Sequence, residues 1–108
     1  MFNIKFKDGT TIQATVVEEI CKQEFDGNNH VSLIIQNSKV PDSFDLNALK
    51  DKLTLDTLSS IQAFSDLNST TPVNTYLNYI YIAYIVLRLQ PDGSKLLDMK
   101  LTKEKFDS

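Results

Sequence analysis

The sequence predicts an α+β domain, mostly antiparallel, with about six strands and one short mid-chain helix, folded as a small sandwich or a curled open sheet. Three observations predict it. Apolar and polar residues alternate on either side of Asp-Gly pairs, the pattern of half-buried strands joined by tight hairpins. A single segment, 44–53, carries helical spacing, and it lies between two hairpin-rich halves rather than alternating with strands. The composition is that of a globular chain: 108 residues, 42% of them hydrophobic and 23% charged. A chain of this length can bury a core without disulfide or metal staples. Residues 1–103 are read as a single β-rich domain and 104–108 as a short polar tail.

The elements follow in order. Phe2, Ile4 and Phe6 precede Asp8-Gly9, and Ile12, Ala14 and Val16 follow it, so the chain opens with a β-hairpin. Asp26-Gly27-Asn28-Asn29 is expected to turn a strand over 16–25 into one over 31–36. Pro41-Asp42-Ser43 is a turn, and Asp45 after it can cap a helix by accepting a free amide of the first turn. Phe44 and Leu49 have hydrophobic-staple spacing. Leu46, Leu49 and Leu53 share one face of that helix, with Asn47, Lys50, Asp51 and Lys52 on the other. Residues 54–57 read as a further turn, with Asp56 as its cap, and 61–65 as a strand. The polar stretch 66–72 is a loop; its Asn68-Ser69-Thr70 sequon is read as a polar turn.

Residues 73–90 are apolar on both faces. In an unbroken strand Tyr79, Tyr81, Ala83, Ile85, Leu87 and Leu89 share one side, and Ile80, Ile82, Tyr84 and Val86 the other. A kink near Asn78 would redistribute them, and the pattern leaves open whether this is one strand or two. Pro91-Asp92-Gly93 then turns the chain into a closing strand over 95–102, in which Leu97, Met99 and Leu101 share one parity.

The sequence excludes more chemistry than it suggests. The three glycines, Gly9, Gly27 and Gly93, all follow aspartates in turns, which leaves none for a phosphate-cradling loop. One cysteine, Cys21, and one histidine, His30, exclude an intramolecular disulfide and paired-histidine metal motifs. Cys21 and His30 could meet across the 26–29 turn, but no third group completes a nucleophilic site. Asp26, Asn28 and His30 are spaced like the opening of a calcium loop, yet Val31 stands where that loop needs glycine. Glu18, Glu19 and Glu24 read as a solvated strand face. The expectation is therefore no enzyme, no catalytic residue, no cofactor and no metal.

A net charge of −3 gives no basic footprint for nucleic acid. The opening residues turn polar at once and do not read as a signal peptide. The longest apolar run, 79–87, falls short of the roughly 20 residues a membrane helix needs. What remains is the tyrosine cluster. Tyr79, Ile80, Tyr81, Ile82 and Tyr84 form the candidate interface, for a protein partner or a second copy of the chain.

Several segments resemble small tail-region proteins of phages and prophages of Gram-positive bacteria. Phe2-Asn3-Ile4-Lys5-Phe6-Lys7-Asp8-Gly9-Thr10 is similar to their opening I-x-F-x-D-G-T hairpin, and residues 46–54 to their mid-chain LxxLxxxFT helix. Residues 58–64 resemble the strand that follows, and Asn78-Tyr79 the NY pair before the closing hairpin. The chain departs from them in lacking a glutamate-rich C-terminal extension and in its tyrosine-rich closing strand. The resemblance implies a non-enzymatic tail or baseplate component acting through protein contacts, found in the bacterial host cytoplasm during assembly or in the virion. It implies no catalytic residues. Two other functions fit the residues: a small acidic inhibitor or adaptor that binds a host protein, and a small-ligand binding module.

Overall fold

The computed structural model describes residues 1–23, 27, 29–66 and 68–104. Among these residues, eight strands and two short helices run β1 (Phe2–Phe6), β2 (Thr11–Ala14), β3 (Val16–Gln23), β4 (Asn29–Val40), α1 (Leu46–Lys52), α2 (Leu55–Leu58), β5 (Ser60–Phe64), β6 (Asn74–Leu77), β7 (Tyr81–Leu89) and β8 (Lys95–Thr102). They form two four-stranded sheets, ordered β2-β1-β5-β6 and β3-β4-β8-β7, with every neighbouring pair antiparallel. The mostly antiparallel α+β expectation therefore holds. The expected six strands and one helix become eight and two.

The added strands come from two long runs that change sheet midway. Residues 11–23 cross at Thr15. Before it, Ile12 and Ala14 point to the core; after it, Val17 lies opposite the buried Ile35, so the alternation slips by one residue. Val16, read as a core position with Ile12 and Ala14, instead lies opposite Gln36. Residues 73–90 cross at 78–80, where Asn78 takes φ 66°, a left-handed conformation that asparagine tolerates better than most residues. The kink considered near Asn78 is real, and the run is two strands. Each crossing joins an edge of one sheet to an edge of the other, so strands turn corners, as in orthogonally packed sheets.

Both outer hairpins have the same closing geometry. Phe6 N–H donates to Thr10 O (2.8 Å) and Gly9 N–H to Phe6 O (3.0 Å); Gln90 N–H donates to Ser94 O (2.8 Å) and Gly93 N–H to Gln90 O (3.0 Å). These are three-residue loops that need a left-handed residue at the third position, supplied by Gly9 (φ 92°) and Gly93 (φ 88°). The aspartate before each glycine ties down its turn: Asp8 Oδ1 accepts from Thr10 N–H (2.8 Å) and Asp92 Oδ1 from Ser94 N–H (2.9 Å). Those bonds hold both carboxyls below the usual carboxylate range. Of the expected 26–29 turn, Asp26 and Asn28 lie outside the described residues, as do 105–108 of the expected tail.

Helix α1 begins as the sequence indicates. Asp45 caps it, accepting from Asn47 N–H (3.0 Å) and Ala48 N–H (3.3 Å). Leu49 and Leu53 are buried, and Phe44 and Leu46 pack against the same core. The stretch read as a turn at 54–57 is instead the start of a second helix. Its cap is Thr54, whose hydroxyl accepts from Thr57 N–H (3.2 Å), not Asp56. Asp56 pairs with Lys7 at the surface (3.0 Å).

One core is shared by all elements. Ile4, Phe6, Ile61 and Ala63 line it from the first sheet, Leu33, Ile35, Leu97, Met99 and Leu101 from the second, and Leu58 from α2. Among the described residues, no helix is long and apolar enough to cross a membrane.

Candidate functional site

The second sheet ends in β7, an edge strand whose one strand partner among the described residues is β8. Its placement follows from two irregularities. At β4 the register shifts between Ile35 and Ser38, so that Gln36 and Asn37 together oppose Asp98. Asn37 adopts φ 59° there, and its N–H donates to Asp98 Oδ1 (3.0 Å). Arg88 of β7 grips the same carboxylate from the other side. Its Nε donates to Asp98 Oδ2, and its Nη2 donates to Asp98 Oδ1 (3.1 Å) and to Asn37 Oδ1 (2.6 Å). The bidentate contact raises the Arg88 pKa further, so the guanidinium stays charged. Asp98 is only 7% exposed. The bulge, its buried carboxylate and the edge strand are thus one hydrogen-bonded unit.

The second irregularity lies in β7 itself, between Ile82 and Tyr84, where Ala83 is the extra residue. It reverses the parity expected for an unbroken strand. Tyr81 and Tyr84 now share the outer face with Val86, while Ile82, Ile85 and Leu87 lie opposite Leu101, Met99 and Leu97 on the core side. Ile85 and Leu87 pack against the core. Ile82, Tyr84, Val86 and Leu89 remain 37%, 38%, 42% and 72% exposed. A nine-residue edge with exposed apolar groups on both faces is the kind of edge that folded proteins normally protect.

The other edges show what protection looks like. β2 and β6 are each four residues long. β3 carries Glu18, Glu19 and Lys22, all exposed. β7 has no proline and no lysine, and its one charge, Arg88, is already paired with Asp98.

The five residues singled out from the sequence part company. Ile82 and Tyr84 are exposed on β7, and Tyr81 is half-buried beside them. Ile80 is half-buried and packs on the core. Tyr79 is fully buried. It stands at the second corner, edge-on to the Tyr76 ring (centroids 6.3 Å apart), with Lys103 Nζ 5.0 Å above its own ring. Its hydroxyl donates to Glu19 Oε2. Burial, reinforced by the adjacent carboxylate, pushes the Tyr79 pKa well above the usual phenol value. Tyr79 is thus a core anchor that ties the corner to β3, and Glu19 is its acceptor rather than a purely solvated carboxylate. Val86, Arg88 and Leu89 belong to the exposed strand and were missed; their signal was the absence of lysine and proline from an apolar run.

The chemical constellations considered above do not assemble. Cys21 lies opposite Val31 and His30 opposite Lys22, so the Cys21 and His30 side chains leave the sheet on opposite faces. His30 Nδ1 lies 3.4 Å from Glu104 Oε2. Among the described residues, no group of three His, Cys, Asp or Glu side chains is placed to hold a metal. Glu24, Asp26 and Asn28 lie outside those residues. The surface has shallow depressions, one of about 330 Å³ lined by Met1, Phe2, Asn3, Gln13, Asp66 and Asn68, and another of about 320 Å³ between β2 and β4 beside Phe44.

No protein-family model matches this chain, and no curated protein or solved structure matches it either.

Proposed function

We propose that this chain is a non-enzymatic structural or assembly protein, a small β-sandwich that works by protein–protein contact as a tail or baseplate component of a phage or prophage. The observation that carries the contact role is β7: a long apolar strand at an open edge, with Tyr84, Val86 and Leu89 exposed and no gatekeeping lysine or proline. Beside it stands the resemblance of residues 2–10, 46–54 and 78–79 to phage tail-region proteins. The mechanism is shape and edge complementarity. The bulge cluster Asn37–Asp98–Arg88 supports it by fixing the edge strand from behind.

The test is the mass in solution, by light scattering over a concentration series, of the wild type and of Tyr84→Asp. A discrete complex that Tyr84→Asp abolishes without loss of fold supports the reading. A wild type that is monomeric at every concentration overturns self-assembly and directs the search to the acidic-adaptor alternative, whose partner binding weakens with salt.

A further inference from the structure

We propose that the outer face of the first sheet, where β1 meets β2, carries a binding site for a neutral saccharide, centred on the carboxamides of Asn3 and Gln13. The site lies on a different sheet from β7 and is independent of the contact role proposed above.

The strands bring the two carboxamides together. Asn3 stands opposite Gln13, and the next pair, Ile4 and Ile12, packs on the core, so both amide side chains leave the sheet on its outer face. The hairpin bond from Phe6 N–H to Thr10 O sets the alternation of the ladder. Counting back from it, Ile4 and Ile12 are a bonded pair and Asn3 and Gln13 a non-bonded one, the kind that holds side chains closest. Both residues are half-buried, and among the described residues neither carboxamide has a hydrogen-bond partner. Each offers a donor and an acceptor side by side. Two adjacent hydroxyls on a sugar ring complement that arrangement.

Two depressions meet at this pair. One, of about 330 Å³, extends from it to Phe2, Asp66 and Asn68. The other, of about 320 Å³, extends from it to Ser38 and Phe44. Each is at the lower end of the range of small-ligand clefts, about 300–1,000 Å³. Because they share Asn3 and Gln13, they form one trough with two compartments, which suits a disaccharide better than a single ring. Each compartment sets a half-buried phenylalanine, Phe2 or Phe44, beside polar groups with capacity to spare. In the first, Asn68 N–H donates to Asp66 Oδ1 (2.8 Å), which leaves Oδ2 to accept a hydroxyl. In the second, Ser38 is 1% exposed and its hydroxyl has no hydrogen-bond partner among the described residues. A buried polar group left in that state is uncommon, and a hydroxyl of the occupant supplies its partner.

The lining also discriminates among ligand classes. Its charged side chains are one carboxylate, Asp66, and one ammonium, Lys39, so the trough has no net charge with which to select a phosphate or a metal cation. Its carboxamides and hydroxyl would be left without partners against a lipid chain.

The test is a titration of the full chain with maltose, cellobiose and N,N′-diacetylchitobiose, followed by two-dimensional NMR, with inorganic phosphate as the comparison. At least one disaccharide should give saturable shifts of the Asn3 and Gln13 side-chain NH₂ signals. Asn3→Ala and Gln13→Ala should each weaken that binding roughly threefold to tenfold, the share of one neutral hydrogen bond, with unchanged far-UV circular dichroism. Asn47→Ala removes an exposed carboxamide on α1 outside the trough and should leave binding as it is. The proposal is overturned if none of the three disaccharides shifts the Asn3 and Gln13 signals saturably, if binding survives both substitutions, or if phosphate elicits the stronger response. None of these results bears on β7, whose contact role is read from the mass in solution.

Discussion

Removing a single oxygen from Tyr79 gives a prediction with a magnitude and a pH signature. The ring is fully buried at the corner between β6 and β7, and its hydroxyl donates to Glu19 Oε2. A hydrogen bond to a charged acceptor contributes about 1.5–3 kcal/mol. Glu19 lies on an exposed edge strand and can be rehydrated when the hydroxyl is lost, so the low end applies. Tyr79→Phe should therefore cost about 1.5 kcal/mol at pH 7. The pH dependence follows from the raised pKa. The folded state keeps the phenolic proton while the unfolded state releases it near the ordinary phenol value of about 10. The contribution is fully present below that value and is lost as pH rises toward the higher folded value. By pH 11 about 1.4 kcal/mol of the wild-type advantage over Tyr79→Phe should be gone. Urea unfolding of both proteins at pH 7, 9, 10 and 11 measures this directly. The reasoning is refuted if the two proteins are equally stable at pH 7, or if the wild-type advantage grows with pH.

The remaining predictions concern the bulge, a turn and a cap. Arg88→Met strands the nearly buried Asp98 carboxylate, whereas Asp98→Asn still offers Asn37 an acceptor and leaves Arg88 free to reach water. Urea unfolding should therefore show Arg88→Met to be the more destabilising of the two. Gly93→Ala should cost about 1 kcal/mol from backbone strain alone, because φ is 88° and no atom lies within 4 Å of the added methyl. A thermal melt showing no loss would contradict that assignment. Asp45→Ala should cost about 1 kcal/mol by uncapping α1, while Asp45→Asn should recover most of it.

Much of this fold is legible in local sequence, and the reasons are local. Asp8-Gly9 and Pro91-Asp92-Gly93 specify their hairpins because the left-handed third position admits little besides glycine. Asp45 and the spacing of Leu49 and Leu53 specify α1 in the same way. What sequence leaves hidden are the points where alternation changes phase. Thr15, Asn37 and Ala83 each shift the pattern without a glycine or proline to mark the place. Ala83 matters most here. It moves Tyr81 and Tyr84 to one face and Ile82 and Ile85 to the other, so a period-two reading groups the right residues into the wrong surfaces. Tyr79 shows a second limit. Its clustering with Tyr81 and Tyr84 is sequential, and only the corner at Asn78 sends it into the core while the others go to the edge.

The central claim is that the β7 edge is where this protein meets its partner, and amide hydrogen exchange tests it most directly. In dilute solution the amides of Ile85, Leu87 and Leu89 should exchange fast, while those of Tyr84, Val86 and Arg88, bonded to β8, stay protected. As concentration rises and the chain associates, the outward amides of Ile85 and Leu87 should become protected as well. Edge amides that stay unprotected once the chain is fully associated would place the contact elsewhere and contradict the account.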